Sequence, residues 1–166
     1  GSVDIESLSA SPIVPQSIYA LIQSRLARLS DEARRVLDAA VAVGRAFEFG
    51  LVTRASALSE DAALNALDEL RAAGLIVESR SDPTGRFFEF DHTLTMEVAY
   101  REAGEARHRL FHRRVAEALE ALNSRARQHS ESGLVAWHFM EGNAPQRAAP
   151  YAFRAGQSAA RLAAWG

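Results

Sequence analysis

Asp91 and His92 are the neighbouring residues in this chain whose types most invite chemistry. They lie within Arg86 to Tyr100, RFFEFDHTLTMEVAY. Phe88 and Phe90 fall on one face at period two, with Phe87 and Glu89 on the other, so the stretch opens as a strand. Asp91 ends that strand and is expected to cap the helix that follows, its carboxylate accepting from backbone N–H groups two or three residues on. His92 is then expected in the first helical turn, beside unsatisfied N–H groups and the positive end of the dipole. A helix start bearing a histidine suits a phosphate. The competing role for such a histidine is to cap or pack. Arg86 and Arg101 are the basic neighbours on either side, weaker candidates for the same phosphate contact.

Two further groups carry chemical potential. His108 and His112 are four apart, the spacing of two zinc ligands on one helix face. No cysteine and no nearby acid on that face completes a site, and only His129 and His138 could approach it. Without a metal, His112 is expected to pack beneath the helix and His108 to face water. The run from Arg101 to Arg114 holds Arg101, Arg107, Arg109, Arg113 and Arg114 against Glu102 and Glu105. It suits an acidic partner surface, a nucleotide, or a solvated face that pairs with Glu117 and Glu120 at helical spacing. No Ser-His-Asp spacing, paired-carboxylate motif or phosphate-cradling glycine loop appears, so a non-catalytic role is expected.

Composition narrows the classes. The 166 residues allow one domain or two small ones with a real core, and 48% apolar and 24% charged residues are ordinary for a globular protein. Nineteen bases against twenty-one acids leave no bulk charge that calls for nucleic acid or an anionic membrane. Every base is arginine. The absence of lysine excludes a P-loop lysine, a Schiff base and a lysine general base within these residues. The absence of cysteine excludes disulfides, thiolate metal sites and cysteine nucleophiles. No apolar run of membrane-spanning length and no leader are present, so the chain is expected to be soluble and cytoplasmic.

The elements that would position these residues can be read in order. Residues 1–14 read as a tag scar (Gly1-Ser2) and a linker from something upstream. Pro15 opens a helix with Ile18, Ile22, Leu26 and Leu29 as its stripe. Ser30 caps a second helix that buries Ala33, Leu37, Ala40 and Val41 and ends at Gly44. Ala46 to Phe49 is a short extended piece, followed by a brief helix from Leu51 to Leu58. Ser59 caps a helix with Leu64, Leu67 and Leu70 as its stripe, and Gly74 stops it in a left-handed C′ position. Leu75 to Arg80 and Arg86 to Phe90 form a hairpin through Asp82-Pro83-Thr84-Gly85, with proline and glycine placed for a type I turn. From Asp91 the pattern is helical. Glu105 to Leu122 is a long amphipathic helix with Leu110 or Phe111, Val115, Ala118, Leu119 and Leu122 inward. A polar break from Asn123 to Ser132 follows, then helices over Leu134 to Glu141 and Ala144 to Ala164, with Trp137, Tyr151 and Phe153 as packing residues. This last pair looks like one unit of a helical-hairpin repeat, and the chain is expected to continue past Gly166.

The expected fold is mainly α with a small β-hairpin: a winged helix followed by α-helical hairpin, TPR-like repeats. Residues 15–90 would form the winged-helix domain with its leading helix, and 91–166 the start of a TPR-like superhelical arm. Several patches together, PQSIYALIQSRLARLSDEARRVLDAAVAVGRAF, ALDELRAAGLI, FEFDHTLTMEVAY, RLFHRRVAEALE and AWHFMEGNAPQRAAPYAFRAG, resemble the region that follows the ATPase domain of bacterial STAND-type regulators. These include LuxR-like and maltose-regulator-like activators and multidomain adenylate cyclases. The resemblance implies an upstream P-loop ATPase domain and downstream helical repeats as partners in the same chain, with ADP or ATP bound by the parent and no cofactor in this segment. In related apoptosome and plant resistance ATPases, a Met-His-Asp motif sets its histidine on the β-phosphate of ADP. FDHTL is similar in position, with His92 matching the histidine, Asp91 before it, and Thr93 where the motif has aspartate.

The alternative is a DNA-binding winged-helix regulator, with the helix Ser59 to Ala73 in the major groove. That helix carries Glu60, Asp61, Asp68 and Glu69 against Arg71 alone, and phosphate attraction supplies most non-specific affinity. DNA is therefore disfavoured. A third reading is a structural adaptor in which His92 only packs.

Overall fold

The computed structural model describes residues 15–122 and 131–164. The expected linker over 1–14, most of the polar break after Leu122, and His129 lie outside the described residues. The described chain is mainly helical, with one small antiparallel sheet. Its elements are α1 (Gln16–Leu26), α2 (Asp31–Val43), β1 (Ala46–Glu48), α3 (Phe49–Ser56), α4 (Glu60–Ala72), β2 (Ile76–Glu78), β3 (Phe87–Phe90), α5 (Thr93–Ala103), α6 (Glu105–Leu122), α7 (Ser132–Glu141) and α8 (Pro145–Ala163). No helix among the described residues is long and apolar enough to cross a membrane.

Local chemistry sets most of these boundaries. Ser30 Oγ accepts from the Ala33 N–H at 3.1 Å and starts α2, with Asp31 and Glu32 against the helix dipole. Ser59 does the same for α4 through the Ala62 N–H. Gly74 stops α4 at φ +68°, a conformation that costs a residue with a Cβ. Pro15 sits one residue before the first turn of α1, in the N-cap position.

The hairpin expected over 75–90 is part of a three-stranded sheet. β1 pairs antiparallel with β3 (Phe47 opposite Phe88) and β2 pairs on the other side (Val77 opposite Glu89), in the order β1-β3-β2. The short extended piece at Ala46 is thus an edge strand, because β3 alone would leave one row of backbone groups unpaired. Phe47, Phe88 and Phe90 form the buried aromatic face of the sheet, with centroids 5.9–6.3 Å from Phe47. Asp82 shapes the turn. Its carboxylate accepts from the N–H groups of Thr84, Arg86 and Phe87 and from the Thr84 hydroxyl.

One hydrophobic core runs from Ile22 in α1 to Ala148 in α8, crossing the boundary expected between 90 and 91. α6 packs on α2 and α3 with one side and on α7 with the other. α7 and α8 are antiparallel neighbours, with Gly133 beside Ala155 and Phe139 beside Tyr151. Several expected stripes are corrected. Ile18, Leu64, Leu122, Trp137 and Phe153 are exposed, while Val36, Ala63, Ala66 and Phe139 are buried. The α4 core face is rotated toward small residues: Ala63 and Ala66 are buried beside Leu67 and Leu70, and α4 packs on α2.

Candidate functional site

The strand–histidine–helix junction is tied down on both sides. The Phe90 N–H donates to the Arg45 carbonyl and the Asp91 N–H to the Leu75 carbonyl, each at 3.1 Å. These two bonds keep the backbone extended one residue further than expected. His92, at φ −143° and ψ 145°, is therefore the N-cap of α5 rather than a first-turn residue, and it takes the capping role expected of Asp91. Its Nδ1 accepts from the Leu94 N–H at 3.3 Å, and its carbonyl accepts from the Thr95 N–H at 3.0 Å. A neutral imidazole that accepts at Nδ1 carries its proton on Nε2. His92 is exposed, so this places an N–H donor at the surface, at the positive end of α5.

Arg86 and Arg101 do not join it. Arg86 lies at the turn end of β3, six residues away, or about 20 Å along an extended strand. Its carbonyl accepts from the Phe49 N–H, and its Nε donates to the Thr84 hydroxyl at 3.1 Å. Arg101 is in the last turn of α5, about 14 Å along the helix axis from His92. There it lines a cleft of about 150 Å³ with Val41, Met96, Glu97 and Tyr100. The three residues serve the turn, the junction and the far end of the helix.

The polar contacts that join elements came from elsewhere. Asp38, buried in α2, accepts from Arg107 of α6 at 2.8 Å and from Arg34 at 3.3 Å. Glu69 of α4 accepts from both the N–H and the hydroxyl of Ser30, each at 2.7 Å. Arg147 of α8 holds Glu117 at 2.6 Å and Glu120 at 2.9 Å while stacking over Phe139. These two acids were expected to pair within α6 and instead bind α8. Arg113 donates to the Gly142 carbonyl at 2.8 Å, and Arg114 lies over the Phe111 ring.

The two-histidine stripe of α6 divides in an unexpected way. His112 is buried, as expected, but so is His108, which stacks on Tyr100 with centroids 3.8 Å apart. His112 Nδ1 meets His138 Nδ1 of α7 at 2.9 Å. Among the described residues no group of three His, Cys, Asp or Glu side chains is arranged to hold a metal. Asp38 was missed in the sequence, although a carboxylate inside the apolar run of α2 was a signal for it; nothing in the sequence pointed to its partner, 69 residues on.

The outer face of α4 is acidic. Glu60, Asp61 and Asp68 are exposed, and Arg71 is occupied by Asp68 at 3.5 Å and Glu78 at 3.0 Å. Comparison with protein-family models, with curated proteins and with solved structures gave no match for this chain.

Proposed function

We propose that this chain is a non-catalytic regulatory segment of a STAND-type ATPase signalling protein, in which a winged helix and the first TPR-like helices couple nucleotide state to an interaction arm. The element order α2-β1-α3-α4-β2-β3 with strand order β1-β3-β2 supports the winged-helix part. The antiparallel α7–α8 hairpin, stacked on α6, supports the arm. The contact of Arg107 with the buried Asp38 carboxylate and the continuous core support coupling, since a shift of α2 is carried into α6.

His92 carries the proposal. Its ring caps α5 through Nδ1 and offers Nε2–H outward, the donor that a phosphate oxygen of ADP needs. A hydrogen bond to a charged group is worth roughly 1.5–3 kcal/mol. If made only in the ADP state, it shifts a two-state equilibrium by about 10–150-fold. The acidic outer face of α4 opposes the DNA-binding alternative.

The test is the ADP retained by the full-length protein that carries this segment. His92→Asn keeps a good N-cap but is too short to set a donor where Nε2–H stands. Loss of ADP from a folded His92→Asn protein supports the nucleotide role. Equal retention in wild type and variant makes His92 a structural cap and this region scaffold.

A further inference from the structure

We infer that His112 and His138 form an acid-sensitive latch that holds the α7–α8 hairpin on α6 and releases it when both rings take up a proton. The latch stands apart from the nucleotide role proposed for His92.

The two Nδ1 atoms face each other at 2.9 Å across the α6–α7 interface, in rings that are both buried. Such a bond needs one nitrogen to donate and the other to accept. The neutral pair satisfies this, and so does the pair with a single added proton. A second proton turns both nitrogens into donors, so the hydrogen bond is lost and two cations are left buried together. Water cannot relieve that repulsion while the interface is closed.

The surroundings do little to neutralise a doubly protonated pair. On α7, Glu141 is the acid whose charge acts on His112 and favours its protonation; on α6, His108 opposes it. Arg113 of α6 is bound to the Gly142 carbonyl. From α8, Arg147 turns away onto Glu117 and Glu120, and Arg154 bonds the Pro150 carbonyl and lies over Tyr151. From α5, Tyr100 meets His108 and not the pair. Asp38 of α2 is taken by Arg34 and Arg107, Arg35 donates to the Ser56 and Ala57 carbonyls, and Arg54, the charged residue of α3, is exposed. Burial is the main influence on both rings and holds each below the ordinary histidine range, His138 at about 4.

The sign follows from linkage. A histidine whose folded value is depressed favours folding above the unfolded value of 6.5, and that contribution is lost as pH falls toward the folded value. The interface α7 makes with α6 is the part that carries the loss, because the bond between the two rings spans it.

Trp137 is a built-in reporter. Its ring meets His112 edge-on at 5.2 Å and His138 at 4.7 Å. In the 166-residue chain with Trp165→Phe it is the single indole. Trp137 is half exposed, so the readout is the loss of its ring contacts: on acidification below pH 6.5 its emission intensity is expected to change with an uptake of about two protons, while most of the far-UV ellipticity remains. His138→Gln, whose amide can donate to His112 Nδ1, should remove the two-proton slope. If that variant does not fold, His112→Gln and the histidine ring-proton titrations of the wild type serve in its place, with both rings expected to titrate together below 6.5. A flat Trp137 signal down to pH 3, independent titration of either ring near 6.5, or loss of emission and ellipticity in one step in both wild type and variant overturns the latch.

Discussion

Arg107 of α6 places a guanidinium nitrogen 2.8 Å from a carboxylate oxygen of Asp38 in α2, across 69 positions of chain. The carboxylate side chain is 1% exposed, whereas that of Arg107 is 53% exposed. The two ends of the bond therefore behave differently when cut. Arg107→Ala leaves a buried carboxylate with Arg34 alone and is expected to cost about 1–3 kcal/mol, below the full penalty for breaking a buried pair because Arg34 remains. Adding Asp38→Asn should recover part of that loss. Urea melts of the single and double variants measure it, and equal stability of Arg107→Ala and wild type refutes the account.

Ser30 and Glu69 make a second link, between α2 and α4. Ser30 Oγ caps α2 and bonds Glu69, so Ser30→Ala should cost about 1–2 kcal/mol, at the upper end for an N-cap. Glu69→Gln should cost less, because one amide oxygen can still accept from the Ser30 N–H. Thermal melts of the two variants would reverse this order if the cap were incidental.

Gly142 is a packing requirement at φ −74°, where any residue is allowed. A Cβ there would clash with Arg113 Cγ and stand 3.0 Å from the Arg113 backbone nitrogen. Gly142→Ala is thus expected to push α7 off α6 and cost about 1–3 kcal/mol, as overpacking does. Gly85→Ala, at φ +66° with open space around it, is expected to strain only the turn. Proteolysis should separate the two, with cleavage between α6 and α8 enhanced in the first variant alone.

Asp82 gives a pH signature in the turn between β2 and β3. The Thr84 hydroxyl foremost, then the Thr84, Phe87 and Arg86 N–H groups, hold its carboxyl at about 2. The value is depressed, so what Asp82 adds to the turn is complete above 3.8 and lost as pH falls toward 2. Carboxyl carbon NMR should show a low midpoint in wild type and a higher one in Thr84→Val. An unchanged midpoint assigns the effect to the backbone donors.

What could be read from residues alone was local. Ser30, Ser59 and Gly74 act through bonds or dihedrals within a few positions of themselves, so their roles follow from type and spacing. The limits of α6 at Glu105 and Leu122 are legible for the same reason, since amphipathic period and end signals belong to the segment. Phe88 and Phe90 point inward because strand alternation requires it. Tertiary structure decided which neighbour each face meets. Leu64 and Trp137 obey the helical period and are still exposed, while Ala63 and Phe139 are buried, because the covering helix fixes which arc is inside. His92 became a cap only because Leu75 and Arg45 held the strand open for one more residue. The His112–His138 bond joins positions 26 apart that no period relates. Propensity and capping are properties of a few adjacent residues, but a buried polar atom takes whatever partner the packed chain brings to it.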